Sequence, residues 1–239
     1  MQINLAKALL LLFHISHIVI IVHPTLQFDL NYINLFHVLD STRQKLQPAI
    51  CEMLQKFDSL PSDWVSAGRL CSPRALFLFE SYNDDKQIDQ KKINEYKQQL
   101  EEQIYRILRK SRVITNISGN SLFALPLHSE FVFISTKDSA IRNPNEYLLS
   151  KLIKFCNPEN NADKYLKKND QANSFGSFLQ NHVQLALTKG FDDNIGRHAA
   201  PPIFELPSYK DFFQVLLKLK EIIFQNDTNE TKTAFTNLR

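Results

Sequence analysis

Two kinds of apolar spacing divide the first 135 residues. Ala8 to Phe13 is rich in good helix formers, whereas Ile18 to Val22 is an unbroken β-branched block, so the oily run from residue 8 to residue 24 reads as two elements. A helix end over Ala6–Ile15 and a strand over His17–Val22, stopped by Pro24, fit a strand covered on both faces, as in a parallel sheet. Asp29 then stands where a helix cap is wanted. Ile33, Phe36, Leu39 and Leu46 recur at helical spacing, and Pro48 is expected to end that helix. A loosely helical stretch at Cys51–Phe57 and a Pro61-Ser-Asp turn lead to Ala75–Phe79, an apolar run of strand length.

The polar stretch SYNDDKQIDQKK has no apolar period and reads as a mobile loop. Ile93 to Arg112 places Ile93, Tyr96, Leu100, Ile104 and Ile107/Leu108 on one face in steps of three and four, which predicts a long amphipathic helix. Leu122–Leu125 and Phe131–Ile134 predict a pair of strands, one at a sheet edge, separated by Pro126 and a polar turn. Beyond Ser135 the strand signal stops. Glu146–Phe155, Phe175–Lys189 and the segment after Ser208 read as helices, the last opened by a capping-box pair of Ser208 and Asp211. The final fifteen residues are polar and read as disordered.

The implied fold class is α/β, a mostly parallel sheet layered by helices over 1–135, followed by a helical extension over 136–224 and a tail over 225–239. The first strand has no earlier neighbour, as though sheet strands preceded it.

The opening run has a second reading. A helix over Ala8–His23 would be about 24 Å long, short of a bilayer core of roughly 30 Å, and His14, Ser16 and His17 interrupt its middle. As a secretion signal it has Lys7 ahead of the apolar stretch but no small-x-small cleavage site after it. The alternative is therefore a small secreted or membrane-anchored glycoprotein, with Asn116, Asn226 and Asn229 as its formal acceptor sites.

Composition narrows the chemistry. A net charge of +3 is too small to indicate a nucleic-acid partner, and five glycines leave little room for phosphate-cradling loops. Cys51, Cys71 and Cys156 are odd in number and far apart, which indicates reduced thiols rather than a disulfide framework or zinc knuckle. There is no G-x-x-x-x-G-K-[ST] and no G-x-S-x-G. His14 and His17 lack further metal ligands and read as core histidines, and GFDDNIGR lacks the alternating oxygens of a calcium loop. Arg106, Arg109, Lys110 and Arg112 suit the negative end of the long helix, with no aromatic platform beside them for RNA. Catalytic residues, cofactor and metal are all expected to be absent. The face of Phe212, Phe213, Leu216, Leu219 and Ile223 is the candidate protein contact, with packing against Phe175–Leu187 as the intramolecular alternative.

Several long stretches carry a family likeness. ALLLLFHISHIVIIVHPTLQFD, CSPRALFLFE, LEEQIYRILRKSRVITN, NSLFALP, FVFI and HVQLALTKGFDDNIGR through FELPSYKDF together, in this order, resemble the SMG-eight family of nonsense-mediated mRNA decay factors. The resemblance implies a fragment that begins inside a GTPase-like domain lacking a phosphate loop and ends early in a helical stalk. It implies a non-enzymatic regulatory scaffold, paired with SMG-nine through the GTPase-like domains. The partner beyond it would be the phosphatidylinositol-3-kinase-related kinase that phosphorylates the decay RNA helicase. Direct contact with nucleic acid or membrane is not implied, and the expected location is the cytoplasm, with the nucleus also open.

Overall fold

A computed structural model describes residues 2–81, 90–115, 121–126, 129–136, 174–188 and 206–225. The expected helix at 146–155, the GFDDNIGR segment, Cys156, the three Asn acceptor sites and most of the final fifteen residues lie outside these. Among the described residues the chain is mixed α/β, with three parallel strands and six helices.

Helix α1 (Gln2–Ile15) and strand β1 (Ile18–His23) divide the opening run where its composition changes. Ala6, Leu10 and Phe13 of α1 and Ile21 of β1 are buried in the central hydrophobic cluster. No described helix is long and apolar enough to cross a membrane. Helix α2 (Asn31–Leu54) starts with the Asn31 amide donating to Asp29 Oδ1 at 2.9 Å, so Asp29 does cap it. Pro48, however, does not end it. Proline removes one helical hydrogen bond, but here the ring is solvent-exposed and the freed carbonyl can reach water, while buried Leu46, Ile50, Met53 and Leu54 hold both sides of the kink-prone turn against the core. The expected Pro61 turn is the entry to a short helix, α3 (Ser62–Ala67), whose Trp64 is fully buried.

Strand β2 (Arg74–Ser81) lies between β1 and β3 (Val132–Thr136), parallel to both, with α2 and α4 (Gln90–Lys110) as the connections. The register pairs Ile21 with Phe77, His23 with Phe79, and Phe77 with Val132. Of the predicted stripe helix α4 buries Leu100, Ile104 and Leu108, whereas Ile93 and Ile107 are half-buried and Tyr96 is exposed. The pair of strands expected around Pro126 is reduced to one. Leu122–Leu125, all four side chains of which are buried, pairs with the start of β2 only at Ala124, whose N–H donates to the Pro73 carbonyl at 2.9 Å and whose carbonyl accepts from Ala75 at 3.0 Å.

The entry of β3 is held by one carboxylate. Glu101 Oε1 accepts from the amides of Phe131 at 2.8 Å and Val132 at 3.0 Å, donors that would otherwise be buried and unpaired. Glu101→Ala is expected to lower stability by about 2–4 kcal/mol, and Glu101→Gln by under about 1 kcal/mol, since the amide oxygen can still accept; urea unfolding midpoints check both.

Candidate functional site

The two described helices beyond β3 both pack on the α/β layer. Helix α5 (Phe175–Thr188) lies against β3, with the rings of Phe175 and Phe178 5.4 and 5.5 Å from Phe133. Its His182 is buried and bridges two strand entries: Nε2–H donates to the Glu130 carbonyl at 2.9 Å, and Nδ1 accepts from Arg74 Nη1 at 3.1 Å. Protonating Nδ1 would set a cation against the guanidinium, and burial together with Arg74 pushes this histidine down to about 4.

Helix α6 (Tyr209–Gln225) opens as its capping box predicts. The Asp211 amide donates to Ser208 Oγ at 3.2 Å, and Ser208 Oγ donates to Asp211 Oδ2 at 2.7 Å, which lowers the carboxyl's pKa. It packs on α1 and α2, not on α5 as the intramolecular reading had it. Val215, Leu219 and Ile223 point into the common core, and the half-buried Phe212 ring lies 6.4 Å from Trp64. Its last turn is closed from the far end of the chain: Lys7, 4% exposed, donates from Nζ to the Phe224 carbonyl at 3.2 Å and sits over the Phe224 ring. That cation at a helix C-terminus satisfies an orphan carbonyl and opposes the negative dipole end.

The five residues expected to form a contact therefore divide. Leu219 and Ile223 face inward, Phe212 and Leu216 are partly covered, and Phe213 is 48% exposed. Phe213 belongs to an outward row that the periodicity also contained. Tyr209 (84% exposed), Phe213 and Leu217 follow at steps of four, and the Tyr209 and Phe213 rings stack at 6.4 Å.

A second candidate lies at the carboxyl end of β1, where the loop Pro24–Leu30 turns into α2. Ligands of open parallel sheets commonly bind at this end of the strands. A cavity of about 640 Å³ is bordered here by His23, Thr25, Gln27, Phe28, Asp29 and Tyr32, among others. The register places His23 beside Phe79, and the two rings stack at 4.7 Å and 9°. Phe28 and Tyr32 meet the imidazole at 5.5 and 5.1 Å. Burial lowers the pKa of His23 against the opposing pull of Asp29, and its Nε2 has no hydrogen-bond partner. The loop is tied to α4 by Tyr96, whose hydroxyl donates to the Leu26 carbonyl at 2.8 Å. The sequence reading did not single out this hollow; its available signal was a polar loop, with a histidine before it, joining a buried strand to a helix.

His14 occupies the core, as read from the sequence, with Nδ1–H donating to the Leu10 carbonyl at 2.7 Å. Among the described residues no group of three potential ligands could hold a metal. Cys51 Sγ donates to the Ser66 carbonyl and Cys71 Sγ to the Ser16 carbonyl, each at 3.5 Å.

Comparison with known proteins gives one consistent result. A model of the Smg8_Smg9 family matches residues 1–239. The nonsense-mediated mRNA decay factor SMG8 of Xenopus tropicalis is 37% identical over 93% of this chain and 28% of its own length. The factors of the same name from Culex quinquefasciatus and Drosophila melanogaster are each 28% identical, over 95% and 92% of this chain. The chain thus spans little more than a quarter of the length of these relatives.

Proposed function

Since the chain belongs to the Smg8_Smg9 family, we propose that it serves nonsense-mediated mRNA decay as a non-enzymatic regulatory and scaffold segment. In this reading its α/β layer is part of a GTPase-like domain that pairs with SMG-nine, and the pair regulates the phosphatidylinositol-3-kinase-related kinase acting on the decay RNA helicase. The observation that carries the proposal is the family match along the whole chain. The secreted or membrane-anchored alternative loses its physical ground, because its supposed leader is core and its supposed leading charge, Lys7, is buried against α6.

The outward row of α6 is the surface we assign to the partner. Phe213 and Leu217 are about half exposed, and fully burying two such side chains would contribute several kcal/mol to association. Co-capture of the chain by SMG-nine tests this. Phe213→Asp with Leu217→Asp is expected to reduce capture at least about tenfold while leaving the urea midpoint unchanged. Capture equal to the unaltered chain would remove α6 from the interface, and no capture of the unaltered chain would overturn the pairing.

A further inference from the structure

Helix α5 is held on the sheet by different means from α6. We propose that α5 is a strap that lifts off the sheet while the rest of the fold stays closed, with His182 as its latch. Opening would bare the rings of Phe133, Phe175 and Phe178, which cover one another in the closed form.

The unequal burial of the two helices is the first ground. Helix α6 drives Val215, Leu219 and Ile223 into the central cluster and is closed at its end by Lys7. Of α5 only His182 and Ala186 are buried, and its share of the cluster is the partly covered Phe178 and Leu179. Val183 and Leu187 are exposed. With so little apolar surface removed from water, α5 belongs to the least stable part of the fold. Once released it would not persist, since an isolated helix of fourteen residues is marginal in water.

The second ground is the latch itself, which is polar and bridges two separate strand entries. His182 donates from Nε2 to the Glu130 carbonyl and accepts at Nδ1 from Arg74. Both side chains are 1% exposed in the closed form, and on opening each can regain water on the side that α5 had covered. The groups facing the imidazole set its response to protons. Arg74 of β2 and Lys97 of α4 are cations; the Glu130 carboxylate pairs with Lys97, and Glu101 is engaged by the amides of Phe131 and Val132. Burial and Arg74 hold the closed imidazole down to about 4, whereas in the open form it returns toward 6.5. Only the open form therefore takes up a proton between these values, and acid favours opening.

Hydrogen exchange of the full chain, followed by mass spectrometry of peptides from α5 and α6, tests this. In the unaltered chain the α5 amides are expected to exchange through an opening that urea below its unfolding transition scarcely changes, while α6 amides follow the steep urea dependence of global unfolding. After correction for intrinsic exchange rates, the α5 opening constant should rise about twentyfold from pH 7 to pH 5. His182→Phe, which keeps a ring but loses both bonds, should raise that constant about tenfold at pH 7 and abolish its pH dependence. The first two readings come from the unaltered chain and stand whether or not His182→Phe folds. The proposal is overturned if α5 shares the urea dependence of α6, if its opening is the same at pH 7 and pH 5, or if a folded His182→Phe opens like the unaltered chain.

Discussion

Leu219→Asp is expected to unfold the chain outright. Leu219 is completely buried on the inward side of α6, among residues contributed by α1 and α2. A carboxylate at that position would be set among the apolar side chains of the common core. Leaving it there, or protonating it at neutral pH, costs about 5 kcal/mol, comparable to the whole stability of many domains. Circular dichroism at about 25 °C should show lost helix signal, or a urea transition displaced almost to zero denaturant. Phe213→Asp, six residues away on the outer side, is expected to change stability by no more than about 0.5 kcal/mol. A partner assay using Leu219→Asp would therefore report unfolding, while Phe213→Asp reports contact.

Acid should destabilise the protein before its carboxylates titrate. Burial pushes His14 down to about 4, and burial with Arg74 pushes His182 to about 4, whereas in the unfolded chain both bind protons near 6.5. His17 and His23 are lowered by burial as well. Between those values the unfolded chain takes up protons that the folded chain refuses, so stability is complete above about pH 6.5 and drains away as the pH falls toward 4. For His14 alone the loss at the acid end is on the order of 3 kcal/mol. Urea midpoints taken from about pH 7 to about pH 4.5 should fall steadily, and His14→Gln should flatten the dependence by removing one titrating group. A midpoint constant across that range would show that these imidazoles are not held neutral by the fold.

What could be read from the chain was what neighbours along it decide. The change from Ala and Leu to Ile and Val within one oily run marked the border of α1 and β1, the steps of three and four marked the buried stripe of α4, and Ser208 with Asp211 marked the start of α6. Pro48 misled because the rule that it ends helices ignores packing: a stop of local origin was overcome by distant side chains gripping the next turn. Leu122–Leu125 misled because an apolar run of four fits a full strand as well as a buried segment that pairs at a single residue, and only the neighbours choose. The inward and outward sides of α6 were not separable either, since both carry large apolar residues. Nor could spacing show that His182 would meet Arg74, 108 residues away, or that His23 would be left with an unpartnered nitrogen.

The clasp between Lys7 and the Phe224 carbonyl joins positions 217 residues apart. During synthesis on the ribosome, α1 emerges about 200 residues ahead of the helix it must seat against, α6. Until then Leu10 and Phe13, destined for the interior, have only part of their final surroundings. Covering α1 is therefore a late and vulnerable stage: vectorial growth can complete the strands earlier, but α1 closes against α6 only when residue 224 has cleared the exit tunnel.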